Sequence, residues 1–319
     1  MIVRFALSRL SPAGTAGRLQ VFIFHRVLPK ADPIIPSEPD ASAFDRRVSW
    51  IKSWFNVLPL DQAVDRLHAG ALPARAAAIT FDDGYADNAT IAATILRRHG
   101  LPATVFVAPG YLDGGCMWND LVIEAVRNCR AEQLDLTGTG MGRYPLSSVL
   151  DRRRAAGALL GQLKYLPQVE RLARAESILD AAKVDRPRDL MMTSSQVKGL
   201  QESAILVGAH TMSHPILATL APTAVRREIA DSRDHLEAVI GAKVELFAYP
   251  NGNPTRDYRP ADVDIVRGLG FKAAFATAWG AAGAGSDLFQ LPRFTPWDRS
   301  RGRYALRLLG NYRRSVMGV

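Results

Sequence analysis

Two short stretches of the chain carry residues suited to chemistry. AITFDDGYADN, residues 78–88, runs an apolar segment straight into the adjacent acids Asp82 and Asp83, followed by Gly84 and Tyr85. HTMSH, residues 210–214, sets His210 and His214 four apart, a spacing that lets two imidazoles share one face of a helical turn and reach one metal ion. An H-x-x-x-H pair by itself more often marks a core or surface histidine pair. A carboxylate changes the balance, because two His and one acid hold Zn²⁺ or a similar divalent ion and leave positions open for water. Tandem acids at the end of a buried strand repel each other, and a cation neutralising one of them relieves that repulsion. The other acid then sits beside the metal, where a general base must be. D-D-G is also a turn sequence with solvated acids, but the apolar run before it favours the site.

The elements that would position these residues are readable from short runs rich in Val, Ile and Phe. They lie at 19–24, 76–81, 102–108, 204–209, 244–249, 271–277 and 289–294. Helical patterns separate most of them. Residues 86–100 place Ile91, Ile95 and Leu96 on one face and end at Gly100; residues 222–241 start with Pro222 and end at Gly241; 261–270 is a shorter example. Alternating strands and helices imply right-handed crossovers and a parallel arrangement, either a β/α barrel or an open doubly wound sheet. The polar residues that stand out share one position in this pattern. His25 follows the first run, Asp82 and Asp83 the second, His210 the fourth, Asn251 the fifth, and Arg293 lies in the last. In parallel α/β folds the C-terminal strand ends gather on one face, which carries the active site. Residues 131–200 break the rhythm with two helical patterns, around 147–164 and 168–183, and no good strand; they read as an insertion over one end of the core.

At 319 residues and 48% apolar content the chain can bury a large core as one domain with an insertion. No segment approaches the roughly 20 apolar residues of a membrane span. The N-terminal apolar run is interrupted by Arg4 and Arg9 and does not read as a signal peptide. Cys116 and Cys129 form no metal or disulfide framework. These features favour a cytoplasmic protein. The net charge of +9 admits a polyanionic partner or a merely solubilising surface. The segment 298–315 concentrates six arginines among Tyr and Leu. It suits either a peripheral contact with an anionic membrane or a closing helix with an exposed basic face.

With TFDDG and H-T-x-x-H in this order on strand ends, residues 20–295 resemble the polysaccharide deacetylases of carbohydrate esterase family 4. The resemblance implies a distorted (β/α)7 barrel, here with the helical insertion. It implies a metal-dependent hydrolase that removes N-acetyl groups from sugars, or O-acetyl groups from some polysaccharides. It assigns Asp82 as general base and Asp83, His210 and His214 as ligands of a divalent metal, most naturally Zn²⁺, with Co²⁺ or Ni²⁺ as alternatives. Two departures stand out. FAYPNG, residues 247–252, falls where the family has F-R-P-P-Y-G, so Ala248 replaces an Arg that positions the catalytic Asp. Asn251 keeps a backbone N–H for the oxyanion, a role indifferent to its side chain. Arg293 is the candidate substitute for the missing Arg. The family's C-terminal L-x-H reads Leu-Pro-Arg at 291–293, whereas Ile-Phe-His at 23–25 matches an N-terminal form found in deacetylases similar to those acting on poly-N-acetylglucosamine. That assigns His25 as general acid.

The resulting expectation is a catalytic domain over 1–298, including the 131–200 insertion, followed by a basic tail over 299–319. Tyr85, Trp118 and Tyr249 are candidate substrate contacts, and Trp297 a weaker one. The expected partner is an N-acetylated polysaccharide of exopolysaccharide biosynthesis or a lipid-linked glycan, not nucleic acid. The expected location is cytoplasmic or membrane-peripheral. A glycosidase fits poorly, because adjacent carboxyls do not span a sugar by the roughly 5–9.5 Å that such enzymes need. A non-haem iron oxygenase shares the ligand set but belongs to an all-β setting. A non-catalytic carbohydrate-binding protein would have lost part of the Asp82, Asp83, His210, His214 set.

Overall fold

The computed structural model describes residues 2–314 and 318–319. In chain order the elements are α1 (Ile2–Leu10), β1 (Gln20–Phe24), α2 (Ala41–Trp54), β2 (Asn56–Val57), α3 (Leu60–His68), β3 (Ala76–Phe81), α4 (Ala93–His99), β4 (Ala103–Val107) and α5 (Trp118–Asn128). There follow β5 (Gln133–Leu136), β6 (Gly142–Pro145), α6 (Val149–Leu163), α7 (Gln168–Ala182), α8 (Ser194–Gly199) and β7 (Ile205–Ala209). The last elements are α9 (Pro222–Ile240), β8 (Leu246–Ala248), α10 (Pro260–Gly268), β9 (Ala273–Phe275) and α11 (Arg301–Asn311).

All pairings in the main sheet are parallel, in the order β1-β3-β4-β7-β8-β9. The seventh expected run closes the ring. Leu291 bridges Phe275 and Phe294 bridges Phe22, both in parallel, so 291–294 lies between β9 and β1. The Leu291 N–H donates to the Ala274 carbonyl at 2.9 Å and the Phe294 N–H to the Val21 carbonyl at 2.8 Å. The barrel is distorted because its staves pair unequally. β4 and β7 are in register over five residue pairs, whereas β7 and β8 meet at the single pair Ala209–Phe247. β2 was not anticipated; two residues leave no periodicity to read, and it pairs only with the start of β3.

Period-two alternation sorts the strand residues. Val21, Ala78, Phe106, Ala248, Phe275 and Leu291 fill the barrel interior. Phe22, Phe24, Phe81 and Phe247 turn outward to the helices, with Phe44, Val48 and Ile51 of α2 and Ile229 and Leu236 of α9. α11 also packs there: Tyr304 stacks on Trp54 with centroids 5.7 Å apart, and Leu308 and Tyr312 are buried, while Arg301, Arg303, Arg313 and Arg314 remain exposed. The basic segment is thus a closing helix with a basic outer face. Residues 315–317 of the expected tail lie outside the described residues.

The insertion has its own core. Leu121, Val122 and Val126 of α5 pack against Ala155 and Leu159 of α6 and Ile178 and Leu179 of α7. α6 and α7 fall within the two expected patterns, and α6 starts at a capping box in which Ser148 and Asp151 satisfy each other's backbone N–H groups. The expectation of no strand is corrected. β5 and β6 form an antiparallel hairpin, whose four-residue strands carry Asp135 and Arg143 and so show no apolar run.

Candidate active site

The C-terminal ends of the strands converge as alternation predicts. After β3 the chain must turn sharply so that both acids face the barrel mouth. Asp83 adopts a positive φ of 75° and Gly84 one of 91°. A side chain at Gly84 would place its Cβ 2.9 Å from Val107 Cγ1 on the neighbouring strand, so only glycine fits. The other site segments share the strain: Thr211, His214 and Asn251 have φ of 62°, 51° and 59°. Left-handed backbone is unfavourable for such residues, above all β-branched Thr, and clusters where geometry serves function.

Asp83 Oδ1 lies 3.5 Å from His210 Nε2 and 3.4 Å from His214 Nε2. His210 Nδ1 is 2.7 Å from the Ala248 carbonyl, which makes it the N–H donor and leaves the Nε2 lone pair facing Asp83. Asp83 Oδ1 is buried and has no hydrogen-bond partner among the described residues. The three ligand atoms lie within 4.8 Å of one another. Burial pushes the His214 imidazole down to about 4, so it is a neutral ligand near pH 7. Burial also works against charge on His210, but Asp82 and Asp83 outweigh it and raise its pKa. Burial likewise opposes ionisation of Asp83, yet the two imidazoles hold its carboxyl below the usual range. The centre therefore favours positive charge between these groups, and an orphaned carboxylate oxygen with two converging imidazole nitrogens fits a divalent cation.

Asp82 is held differently. Arg293 Nη1 donates to Asp82 Oδ1 at 2.6 Å and Nη2 to Oδ2 at 2.8 Å, in a fully buried two-pronged pair. Burial alone would raise the Asp82 pKa; Arg293 and His210 more than offset it and keep the carboxylate ionised. Arg293 Nε is anchored on the Ala276 carbonyl at 3.0 Å, and its guanidinium lies over the Phe106 ring. Thus the guanidinium that reaches Asp82 comes from the segment closing the barrel, while position 248 carries a methyl group.

A cleft of about 360 Å³ joins these groups. His25, Asp82, Asp83, His210, His214 and Asn251 all line it. The Asn251 carbonyl accepts from the Thr277 hydroxyl at 2.7 Å, and its N–H has no acceptor among the described residues. Trp118 also lines the cleft.

Two expected substrate contacts are corrected. Tyr85 is buried behind the cleft, its hydroxyl 3.1 Å from both Asp120 oxygens and its ring covered by Arg26. Tyr249 is fully buried, stacked on Tyr258 at 4.0 Å with its hydroxyl donating to the Phe289 carbonyl. Both are buried and neither lines the cleft. Trp297 is 47% exposed beside Trp279 and Arg307 and does not line the cleft. Sequence reading missed the opposite wall: Asn119 next to Trp118, then Leu160, Gly161, Lys164 and Arg171 at the insertion helices. No motif marks them, since the docking of α6 and α7 on the barrel is set by packing. Thr277 could have been found as a polar residue ending a strand run.

The sequence model of the polysaccharide deacetylase family matches residues 69–134 and 170–274, and the chain belongs to that family of hydrolases. No curated protein matches the chain. Among solved structures, IcaB from Ammonifex degensii aligns over 94% of this chain and 97% of its own at 18% identity, with a TM-score of 0.61. A de-N-acetylase from Aggregatibacter actinomycetemcomitans aligns over 92% and 99% at 16% identity, with a TM-score of 0.60. The Streptococcus pyogenes deacetylase PplD, solved with acetate, aligns over 87% and 92% at 19% identity, with a TM-score of 0.58. At these identities the likeness is one of fold.

Proposed function

We propose that the chain is a divalent-metal-dependent N-deacetylase acting on acetamido sugars of an exopolysaccharide or of its lipid-linked precursor. The observation that carries this reading is the pairing of Asp82 with Arg293 beside the Asp83, His210, His214 set, in a cleft that also contains His25. Asp83, His210 and His214 would hold the cation, which supplies Lewis acidity to the acetyl carbonyl and to water.

The chain's own residues do the rest. Asp82, ionised and fixed by Arg293, takes a proton from the attacking water as its oxygen bonds to the carbonyl carbon. The Asn251 N–H donates to the oxygen on which negative charge develops. His25 gives a proton to the sugar nitrogen as the carbon–nitrogen bond breaks, since an amine leaves poorly unprotonated. The products are acetate and a free amino sugar. Trp118 offers an aromatic face to the pyranose ring. The N-terminal position of His25 supports the exopolysaccharide reading, because it follows the arrangement that the sequence resembles. The reading extends to location, a cytoplasmic protein held at an anionic membrane. It is supported by neighbouring α1 and α11, which expose Ile2, Phe5 and Leu306 among Arg4, Arg9 and Arg303.

The test is acetate release from N-acetylglucosamine oligomers by metal-stripped protein, before and after addition of Zn²⁺ or Co²⁺. Metal should restore release, and Asp82→Asn should lower kcat by roughly 10²–10⁴. His25→Ala should slow amide cleavage far more than cleavage of an O-acetyl ester, whose alkoxide leaves more readily. Equal losses on both would remove His25 as the acid. Restored ester cleavage with no amide cleavage would make the protein an esterase.

A further inference from the structure

The floor of the cleft is balanced in charge, with Asp82 against Arg293 and Asp83 against the cation it would help to hold. The wall supplied by the insertion is not. Lys164, just after α6, and Arg171 in α7 both line the cleft. Arg171 is only 4% exposed, yet no carboxylate pairs with it among the described residues. Its Nη1 donates to the Lys164 carbonyl at 3.1 Å and its guanidinium lies over the Trp118 ring at 5.0 Å. Its Nε is buried without any acceptor, and Nη2 makes no hydrogen bond among the described residues. A buried guanidinium without a counter-charge is costly and destabilises a fold. The idle Nε–Nη2 edge is the side of the fork that takes two oxygens of one carboxylate or phosphate. Burial opposes the charge on Arg171 with little to offset it. The indole on which this guanidinium stacks itself lines the cleft.

We propose that Arg171 and Lys164 form an anion subsite beside the sugar-binding face, so that the preferred substrate carries a phosphate or carboxylate group on, or next to, the acetamido sugar. This deepens the deacetylase reading and rests on it. The anion could be a sugar phosphate, as in a phosphate-linked precursor, or the carboxylate of a neighbouring uronic acid; the shared chemistry is a delocalised oxyanion able to receive two parallel N–H donors.

The test compares N-acetylglucosamine 1-phosphate, a disaccharide of N-acetylglucosamine and glucuronic acid, and neutral N-acetylglucosamine oligomers. Calorimetric affinities are measured on the full chain stripped of metal, so that no phosphate is held by the cation, and kcat/KM on the metal-loaded enzyme. At least one anionic ligand should bind roughly tenfold or more tightly than its neutral counterpart. Arg171→Gln should cut that ratio by about the same factor, and Arg171→Lys should keep part of it. The better anion identifies the source. Lys164→Gln, at the partly exposed rim, should reduce the ratio even if the α7 variant fails to fold. A ratio near one in the wild-type protein, or one unchanged by both Gln substitutions, overturns the subsite. Discrimination in binding without acetate release from any ligand would instead keep the subsite and sink the deacetylase reading.

Discussion

Asp82 and Asp83 are chemically identical neighbours in different surroundings, and what separates them is a single guanidinium. Arg293 occupies both oxygens of Asp82 and leaves Asp83 to the two imidazoles. Removing that guanidinium should leave a buried carboxylate without its partner, at a cost of about 3–5 kcal/mol. Arg293→Ala should therefore lower both Tm and kcat. Arg293→Lys keeps the charge but loses the two-pronged grip, and kcat should fall by about 10² as the base loses its alignment. In the double variant Ala248→Arg with Arg293→Ala, the new guanidinium enters the barrel interior from β8, where Ala248 packs with Phe106 and Phe275. Some activity should return relative to Arg293→Ala, and a folded double variant with none would show that position 248 cannot serve. At this scale the sequence was informative where chemistry constrains residue type. Asp82, Asp83, His210, His214, His25, Asn251, Arg293 and Trp118 were all named from motifs or strand-end positions, and all line the cleft or touch a residue that does. Tyr85 and Tyr249 were misplaced because adjacency in sequence does not say which way a ring turns. Both emerge near strand ends, and both fold back into the core.

Among the elements, α5 does two jobs. It joins the insertion's core and starts the wall that carries Trp118 and Asn119. Its Asp120 is buried against the Tyr85 hydroxyl, and burial, reinforced by Asp83, pushes its carboxyl up to about 7. In the unfolded chain the same group titrates near about 3.9. Between these values the folded protein keeps a proton that the unfolded chain has released, so stability is greatest below that window and falls as pH rises through it. Asp120→Asn retains an acceptor for Tyr85 without the charge. Its Tm advantage over wild type should be small near about pH 5 and grow by roughly 2–4 °C or more near about pH 8; a constant difference would show that Asp120 is not the group responsible. The strands and main helices were legible because apolar runs and Pro–Gly helix ends report directly on local structure. The β5–β6 hairpin and the face α6 and α7 turn to the cleft were not, since short polar strands lack periodicity and docking depends on contacts distant in sequence.

At the scale of the molecule, no described helix is long and apolar enough to cross a membrane, but α1 and α11 leave Ile2, Phe5 and Leu306, the last 72% exposed, among arginines. The proposed membrane contact predicts co-sedimentation with vesicles rich in phosphatidylglycerol, weakening as salt rises and lost with Phe5→Ser and Leu306→Ser together. Equal recovery with zwitterionic vesicles or indifference to both substitutions would remove it. Deleting residues 298–319 would be a poor test, because Tyr304 and Leu308 belong to the main core. The closure of the ring by 291–294 has a consequence in time as well as space. The proposed metal ligands are all synthesised by residue 214, but Arg293, which grips the proposed base Asp82, arrives only with the final stave. A nascent or truncated chain ending before Arg293 would hold the ligand set without an anchored base, and a barrel sprung open at that seam would lose it. On the proposed roles, catalytic competence is tied to completion: the enzyme is armed by the last piece of its own wall.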